Sequence, residues 1–237
     1  KYGARHFHFT DESYPPALFR KLTRGLIDSK MGIAWTTHMR FEKSLLEDQV
    51  WQDAKASGCK YLHFGYESGN ERVLKLMDKA TTTEIMTKHL KYTAEAGIWN
   101  HCMGFFGFPG ETREEAWSSV EFLEQNKDYV HSLGFGTFDL GRHNPVAKHP
   151  EKFGVTAYKN PEWDLALDYY FTVKQGLSIE EAERVFEEFE RNHNPGWDLR
   201  LFIREYIFLY IARFGLQKLP DLQFRSARVA TVPPSLA

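Results

Sequence analysis

The chain has 237 residues, of which 42% are hydrophobic and 26% charged, and its 30 basic and 32 acidic side chains leave a formal net charge of −2. This is the composition of a folded globular protein, which excludes disordered and collagen-like chains. The near-neutral balance argues against a protein that grips nucleic acid through its phosphates, because that binding needs clustered Lys and Arg. No apolar run reaches the roughly 18 residues of a membrane span, and the first residues are not a signal peptide.

Cysteine usage points to a reducing compartment. The chain contains two cysteines, Cys59 and Cys102, which are far apart in the sequence. Two such residues make neither a disulfide framework nor a CxxC metal site. We expect both to be small buried side chains in a cytoplasmic protein.

Between residues 5 and 140, short β-rich segments alternate with longer segments of helical period, the pattern of βα units around a parallel sheet. Five strands are predicted, at Arg5–Thr10, Gly32–His38, Lys60–Tyr66, Trp99–Phe106 and Leu133–Leu140. Helices are predicted between them, at Pro15–Ser29, Ser44–Ala56, Thr83–Ala96 and Glu114–Asn126. Five units are too few for an eight-fold barrel, so we expect a partial α/β barrel or an open sheet.

After Gly141 the pattern changes to a polar loop followed by helical periodicity only. We therefore divide the chain into an α/β unit at residues 1–141 and a helical appendage at residues 142–237. Ser178–Asn192 begins with a Ser-x-x-Glu capping box, which predicts a helix. Asp198–Phe214 is predicted to be a core-packed helix whose apolar side carries Phe202, Tyr206, Leu209 and Tyr210.

Ligands of parallel α/β sheets bind at the carboxyl ends of the strands, so the polar residues there are candidate site residues. Asp11 and Glu12 follow the first predicted strand, and their alternative role is to cap the next helix. Arg40 follows the second strand and could pair with a carboxylate ligand, although a surface arginine is the simpler interpretation of that residue taken alone.

The third and fourth strands end in more distinctive strings. Glu67 and Ser68 leave the third strand between glycines, where a carboxylate could hold a ribose; the alternative is helix capping by Ser68 or Asn70. The fourth strand runs into the turn Gly107-Phe108-Pro109-Gly110-Glu111, whose backbone groups could recognise a flat base beside Phe105. A simple tight turn would explain only its Pro-Gly pair.

Other mechanisms have little support in the sequence. The glycine pair at Gly134 and Gly136 lacks the third glycine of a dinucleotide fingerprint, and there is no P-loop, G-x-S-x-G or H-E-x-x-H motif. The pairs His6/His8 and His143/His149 could ligate a metal, but they have no matching acid or cysteine pattern.

These strand ends, in this order, resemble those of the radical S-adenosylmethionine (SAM) enzymes over roughly residues 2–140. HFTDES resembles the segment that contacts the methionyl amino group, which implies that role for Asp11 and Glu12. FGYESGNERVLKLMDKATT resembles the ribose segment and implies that role for Glu67 and Ser68. MGFFGFPGET is similar to the adenine-binding strand and turn, with Phe105 in the place usually held by Ile and Met103 where glycine is common.

The resemblance implies a 4Fe-4S cluster that cleaves SAM to a 5′-deoxyadenosyl radical, with a flavodoxin- or ferredoxin-like reductant. The CxxxCxxC loop that would ligate this cluster is absent from the sequence. With the Lys1 start, this predicts a chain that lacks the first βα unit, whose five strands are the second to sixth of six. As given, the chain is then expected to be inactive. The region after the sheet resembles the subgroup whose longer members carry a cobalamin-binding domain.

Two other classes of function are open at this point. One is a cluster-free module that binds SAM or a nucleotide, or serves as a scaffold. The other is an ordinary α/β hydrolase or lyase that uses Asp11, Glu67 and Glu111 as acid and base. The reaction type, the substrate and the oligomeric state are not indicated by any motif.

Overall fold

The computed structural model describes residues 3–11, 13–158, 167–193 and 204–216. Its first part is a series of parallel strands and helices. The strands are β1 (His6–Phe9), β2 (Ala34–Met39), β3 (Cys59–Glu67), β4 (Trp99–Phe106) and β5 (Ser132–Thr137). The helices are α1 (Pro16–Ser29), α2 (Asp48–Ala56), α3 (Glu71–Leu76), α4 (Thr83–Glu95) and α5 (Arg113–Gln125), with a 3-10 turn at Lys43–Leu45.

The five strands form one parallel sheet in the order β1-β2-β3-β4-β5. Each strand therefore lies beside the next one in the chain, as in a stretch of α/β barrel. All five carboxyl ends lie at the same edge of the sheet. The predicted α/β class and its five βα units are confirmed.

Helix packing separates the two faces of the sheet. Side chains alternate along a strand, so successive residues point to opposite faces. Trp35, Met39, Leu62, Phe64 and Cys102 belong to the core cluster that the helices cover, together with Phe19 of α1 and Trp51 of α2. The alternate residues therefore point to the opposite side, which we call the inner face. It carries His38, His63 and His101.

The C-terminal region adds a small antiparallel sheet. It consists of β6 (Leu140–Gly141), β7 (Val155–Tyr158) and β8 (Asp168–Val173) in the order β6-β8-β7. The same region holds α6 (Pro145–Lys148), a 3-10 turn (Pro150–Phe153), α7 (Ile179–His193) and α8 (Arg204–Phe214). The purely helical expectation for residues 142–237 is therefore incomplete. The domain boundary at residue 141 stays a prediction.

Helix α8 packs below the inner face, near the amino ends of the strands. Its Ile207, Phe208 and Ile211 cluster with Tyr61 and Trp99, which start the inner faces of β3 and β4. The prediction of a core-packed helix is confirmed, and Tyr210 of the predicted apolar side packs against this cluster. Leu209, predicted for the same side, is 42% exposed, so the prediction is wrong for that residue. Phe202 lies outside the described residues. The side of α8 that is buried is the one that contacts Tyr61 and Trp99 of the sheet.

Candidate functional site

A cavity of about 350 Å³ opens at the carboxyl ends of β2 and β3. Its wall combines the ends of these strands, the loop after α3 and one residue of β4. It is lined by His38, Met39, Arg40, Phe41, Glu42, His63, Gly65, Glu67, Asp78, Lys79, Ala80, Thr81 and Met103. The structure thus brings two predicted site residues, Arg40 and Glu67, to one pocket at the expected edge of the sheet.

Glu67 is held in an unusual backbone conformation. Its φ is +62°, in the left-handed region that few residues other than glycine adopt, and the β3–β4 register shifts between Gly65 and Glu67. The side chain folds back over Gly65, because a Cβ placed on that glycine would lie 3.0 Å from Glu67 Oε1. Lys79 Nζ donates a hydrogen bond to the same oxygen at 3.0 Å. Strained residues of this kind are often found at binding sites.

The pocket rim carries both signs of charge. Arg40 and Asp78 are exposed, while Glu42 and Lys79 are half-buried. A carboxylate bonded through one oxygen can still accept hydrogen bonds at the other, so Glu67 can serve Lys79 and a ligand together. The rim can therefore receive a ligand that itself carries a cation and an anion.

Ser68, the neighbour of Glu67, is fully buried away from solvent. Its hydroxyl lies 3.0 Å from Ser119 Oγ of α5 and accepts a hydrogen bond from the Asn70 backbone N–H. Asn70 caps α3 by accepting bonds from the N–H groups of Arg72 and Val73. The capping alternative is thus confirmed for Asn70, and a ribose contact for Ser68 stays a prediction.

The turn after β4 packs beneath the C-terminal region. Gly107 and Gly110 have φ of +85° and +90°. A Cβ on Gly107 would lie 2.5 Å from Ala182 of α7, and one on Gly176 would lie 2.8 Å from Gly110 Cα. The backbone O of Glu111 accepts a hydrogen bond from the Leu177 N–H at 2.8 Å. This turn therefore joins the parallel sheet to the chain that leads into α7.

Glu111 closes this turn from inside. Its side chain is fully buried, and Oε2 accepts a hydrogen bond from the Gly107 N–H at 2.6 Å. Burial raises the pKa of Glu111 to about 7. Pro109 completes the turn without lining the pocket, and Phe105, half-buried, contacts Phe108 and Phe138. The adenine roles of Phe105, Gly107, Pro109, Gly110 and Glu111 stay predictions.

At the end of β1, the carboxylate of Asp11 accepts a hydrogen bond from the Tyr14 hydroxyl at 3.0 Å. The N-cap of α1 is Pro15, without a side-chain bond, so Asp11 does not cap that helix. Burial, with the Asp11 hydrogen bond as a second cause, raises the pKa of Tyr14 to about 12. Glu12 lies outside the described residues, and the amino-group role of both acids stays a prediction.

Lys79, His38 and His63 are among the pocket residues that the sequence did not identify as site residues. Lys79 falls within the quoted ribose segment, but nothing in its local pattern indicates that it reaches back to Glu67. The sequence does contain a pattern that indicates the pocket histidines. In each of β1–β4, a histidine alternates with the core-facing residues and so points to the inner face: His8, His38, His63 and His101. Because the strands are parallel neighbours, this shared face predicts that the histidines lie close together.

The two cysteines do not fit a 4Fe-4S cluster. Cys59 and Cys102 are fully buried as free thiols, as predicted. Burial raises the pKa of Cys59 to about 12 and raises the pKa of Cys102 further. A cluster needs thiolates, normally from three or four cysteines. Within the described residues no group of three or more His, Cys, Asp or Glu could hold a metal ion. These residues do not make a cluster site.

A family model described as the radical SAM superfamily matches residues 3–123. The chain belongs to the radical SAM superfamily. The matched range contains all of β1–β4 and the Glu67 pocket. Members of this superfamily use SAM and a 4Fe-4S cluster and depend on a reductant, so the predicted family and its cofactors are confirmed at that level.

Two curated relatives are methyltransferases by name. An uncharacterised methyltransferase of Pyrococcus horikoshii is 29% identical over 129 residues, covering 53% of this chain and 27% of that protein. The cytidylyl-2-hydroxyethylphosphonate methyltransferase of Streptomyces wedmorensis is 26% identical over 212 residues, covering 84% and 38%. The chain thus spans well under half the length of these relatives.

A solved structure shares the fold. The radical SAM methyltransferase TsrM of Kitasatospora setae, determined with cobalamin and a [4Fe-4S] cluster bound, superposes with a TM-score of 0.68 at 14% identity. The match covers 96% of this chain and 52% of TsrM. Within the described residues, no helix is both long and apolar enough to cross a membrane. The cytoplasmic location stays a prediction.

Proposed function

We propose that this chain is the SAM-binding part of a radical SAM methyltransferase and that Glu67 holds the ribose of SAM. The conformation of Glu67 carries this proposal. The carboxylate is fixed over Gly65 by Lys79, at a pocket on the carboxyl edge of the sheet, within the matched family range. A fixed carboxylate can accept a hydrogen bond from each hydroxyl of a ribose.

Other residues at this edge of the sheet, both in the pocket and at neighbouring strand ends, are proposed to bind the other parts of SAM. Arg40 can pair with the SAM carboxylate, and Asp11 and Glu12 are proposed for its amino group. The acids Glu42 and Asp78 at the rim favour the positive sulfonium. Adenine is proposed to lie toward Phe105 and the backbone of residues 107–111. These residues bind and orient SAM, which supplies the methyl group or the radical chemistry of the superfamily.

Cluster chemistry requires cysteines that this sequence does not contain. We infer that in the working protein the cluster ligands come from outside these 237 residues, and that a flavodoxin- or ferredoxin-like protein is the reductant. The curated relatives and TsrM are methyltransferases, which favours methyl transfer among the reactions of the superfamily. Cobalamin is proposed as a further cofactor of the whole protein, because TsrM, which shares this fold, binds it.

The arrangement does not favour a carboxylate-based hydrolase. Such an enzyme would bring Asp11, Glu67 and Glu111 to one cavity, whereas Glu111 is fully buried inside its turn. Only Glu67 of the three lines the pocket described above. A cluster-free module would bind SAM in the same pocket. Titration with SAM tests this binding and not the reaction that follows it.

Calorimetric titration of this chain with SAM tests the proposal. We expect saturable binding that Glu67→Ala weakens by about ten- to hundredfold, the effect of losing hydrogen bonds to a charged acceptor. Glu95→Ala is the matched control, because Glu95 is exposed on α4 and pairs with Lys91 away from the pocket. Equal affinities for Glu67→Ala and the unchanged chain would show that the ribose lies elsewhere.

A further inference from the structure

Arg72 connects the two segments that the proposed function assigns to the ribose and the adenine of SAM. It lies in α3, which follows Glu67 and the end of β3. Its Nη2 donates a hydrogen bond to Gly110 O at 2.6 Å, in the turn after β4. Its Nε and Nη2 also donate to the two carboxylate oxygens of Glu115, in the first turn of α5. One guanidinium group therefore joins the chain after β3 to the turn and to the helix that follows it.

The peptide group between Gly110 and Glu111 is held on both sides. Gly110 O accepts the hydrogen bond from Arg72, and the Glu111 N–H donates one to Phe108 O at 2.8 Å. Because a peptide group is planar, these two bonds together fix its orientation. Gly110 has a φ of +90°, and glycine leaves the chain more freedom than any other residue does. The bond from Arg72 thus restrains the part of the turn that would otherwise rotate most easily.

Glu115 keeps the guanidinium of Arg72 in place. Its side chain is 16% exposed, and its Oε2 also accepts a hydrogen bond from the Thr112 N–H at 2.9 Å. The hydrogen bond from Arg72 is the largest cause that lowers the pKa of Glu115. A guanidinium that donates to both oxygens of a carboxylate has a fixed geometry. Asn70 Nδ2 donates to Ser118 Oγ at 3.1 Å, which is a second link between this part of the chain and α5.

The turn and the pocket lie side by side. Glu67 at the end of β3 pairs in register with Gly104 of β4, and Met103 of β4 lines the pocket together with Glu67. The turn begins where β4 ends, at Phe106. The orientation of its backbone therefore determines which hydrogen-bonding groups lie beside a ligand that Glu67 holds.

Stability alone is a weak explanation for this arrangement. Arg72 is 50% exposed, and ion pairs with exposed partners contribute little to folding free energy. The turn is also held from inside by the bond between Glu111 and the Gly107 N–H, and from the other side by Leu177. A lysine could pair with Glu115, but it lacks the planar fork that serves a carboxylate and a carbonyl together. The geometry of Arg72 therefore suits the orientation of the turn more than the stability of the fold.

We propose that Arg72 is a positioning residue for SAM, which orients the backbone of Gly110 and Glu111 beside Glu67 and so sets the preference for adenine. This inference rests on the proposed function, which places adenine at this turn. Hydrogen bonds weaken steeply when donor and acceptor are misaligned, so a turn released from Arg72 should discriminate less between bases. Arg72 acts through the turn and is assigned no contact with SAM.

The test compares SAM with S-inosylmethionine, the analogue in which hypoxanthine replaces adenine. Hypoxanthine has an N1–H donor and a carbonyl where adenine has an acceptor and an amino group, so it reverses the hydrogen-bonding pattern of that edge. Calorimetric titration of the unchanged chain should show a preference for SAM. Arg72→Met should weaken SAM binding by about tenfold and S-inosylmethionine binding much less. The ratio of the two affinities is informative, because a loss of folded protein would lower both equally.

Two further variants separate positioning from charge and from stability. Arg72→Lys keeps the charge and should recover part of the SAM affinity without the full preference for adenine. Arg113→Met is the matched control, because Arg113 is 48% exposed and pairs with Glu188 from the first turn of the same helix α5. This control should leave both affinities unchanged. Urea midpoints of all three variants should stay close to that of the unchanged chain, since both pairs contain an exposed arginine.

Hydrogen exchange of the free protein tests the effect on the turn without any ligand. Peptides that cover residues 107–112 should exchange faster in Arg72→Met than in the unchanged chain, because the peptide group between Gly110 and Glu111 has lost one of its two restraints. Arg113→Met should leave this exchange unchanged. Equal exchange in Arg72→Met and the unchanged chain would overturn the proposal.

The two proposals fail separately. Equal affinity of the unchanged chain for both ligands, or an equal loss of both affinities in Arg72→Met, would overturn the positioning role. If SAM binding still depended on Glu67 in that case, the proposed function would stand. Failure of the unchanged chain to bind SAM would refute the proposed function and, with it, the role of Arg72 toward SAM.

Discussion

Lys79 Nζ lies 3.0 Å from Glu67 Oε1, and this contact ties the loop after α3 to the end of β3. The two side chains are 34% and 21% exposed, so the pair is partly shielded from solvent. It fixes a carboxylate whose backbone is already in the left-handed region. The contact therefore shapes the pocket wall before any ligand binds.

Lys79→Met should weaken SAM binding by about threefold, because a partly exposed ion pair contributes under about 1 kcal/mol to the placement of its carboxylate. The measurement is calorimetric titration, with Lys88→Met as the control, since Lys88 pairs with Glu84 on the surface of α4. Tighter SAM binding in Lys79→Met would mean that the lysine competes with the ribose for Glu67.

Gly65→Ala should reduce SAM affinity with little change in stability. The new Cβ would lie 3.0 Å from Glu67 Oε1, so the carboxylate must move from its position over the strand. The backbone itself is not obstructed at this position. Titration with SAM and urea unfolding would be compared with Gly25→Ala in α1, where a Cβ meets nothing within 4 Å. The control should gain roughly 0.5–1 kcal/mol in unfolding free energy from its helical position. A loss of stability as large as the loss of affinity in Gly65→Ala would contradict this interpretation.

Gly69→Ala should destabilise the fold by about 1–3 kcal/mol, the usual cost of overpacking. Here a Cβ would approach the Tyr66 hydroxyl at 2.3 Å, Phe122 Cβ at 2.7 Å and Ser119 Cα at 2.9 Å. The last of these is backbone of α5, which cannot move aside alone. Urea unfolding followed by circular dichroism measures the loss. An unchanged midpoint would show that α5 is less closely packed on this loop than the structure indicates.

Glu111 should make the protein less stable as pH rises from about 4.5 to about 7. Its pKa is raised to about 7 in the folded state from 4.5, so in this range the folded state holds a proton that the unfolded state releases. The stabilisation is complete below the unfolded pKa and is lost through the folded pKa, on the order of 3 kcal/mol in total.

Comparison with Glu111→Gln isolates this effect. His89 and His131, whose pKa values burial lowers to about 4, change stability in the opposite sense between about pH 4 and 6.5. Both proteins share these histidines, so the difference between their urea-unfolding free energies reports on Glu111. The difference should grow in favour of the glutamine variant toward neutral pH. A difference independent of pH would place an unprotonated carboxylate in the turn.

The sequence by itself determined the alternating βα pattern, the positions of β4 and α5 within one residue, and the family, because hydrophobic period, caps and strand-end motifs are local properties. It also placed Glu67 and Arg40 at strand ends, and parallel pairing alone brings such ends to one edge.

Only the tertiary structure decided which strand-end residues face a common cavity. Ser68 and Glu111 also lie at strand ends, but α5 covers Ser68 and the chain entering α7 covers Glu111. Lys79, His38 and His63 join the pocket because distant segments meet there, which no local pattern encodes. The strands β7 and β8 likewise depend on pairing with each other, since short strands are stabilised by their neighbours rather than by their own propensity.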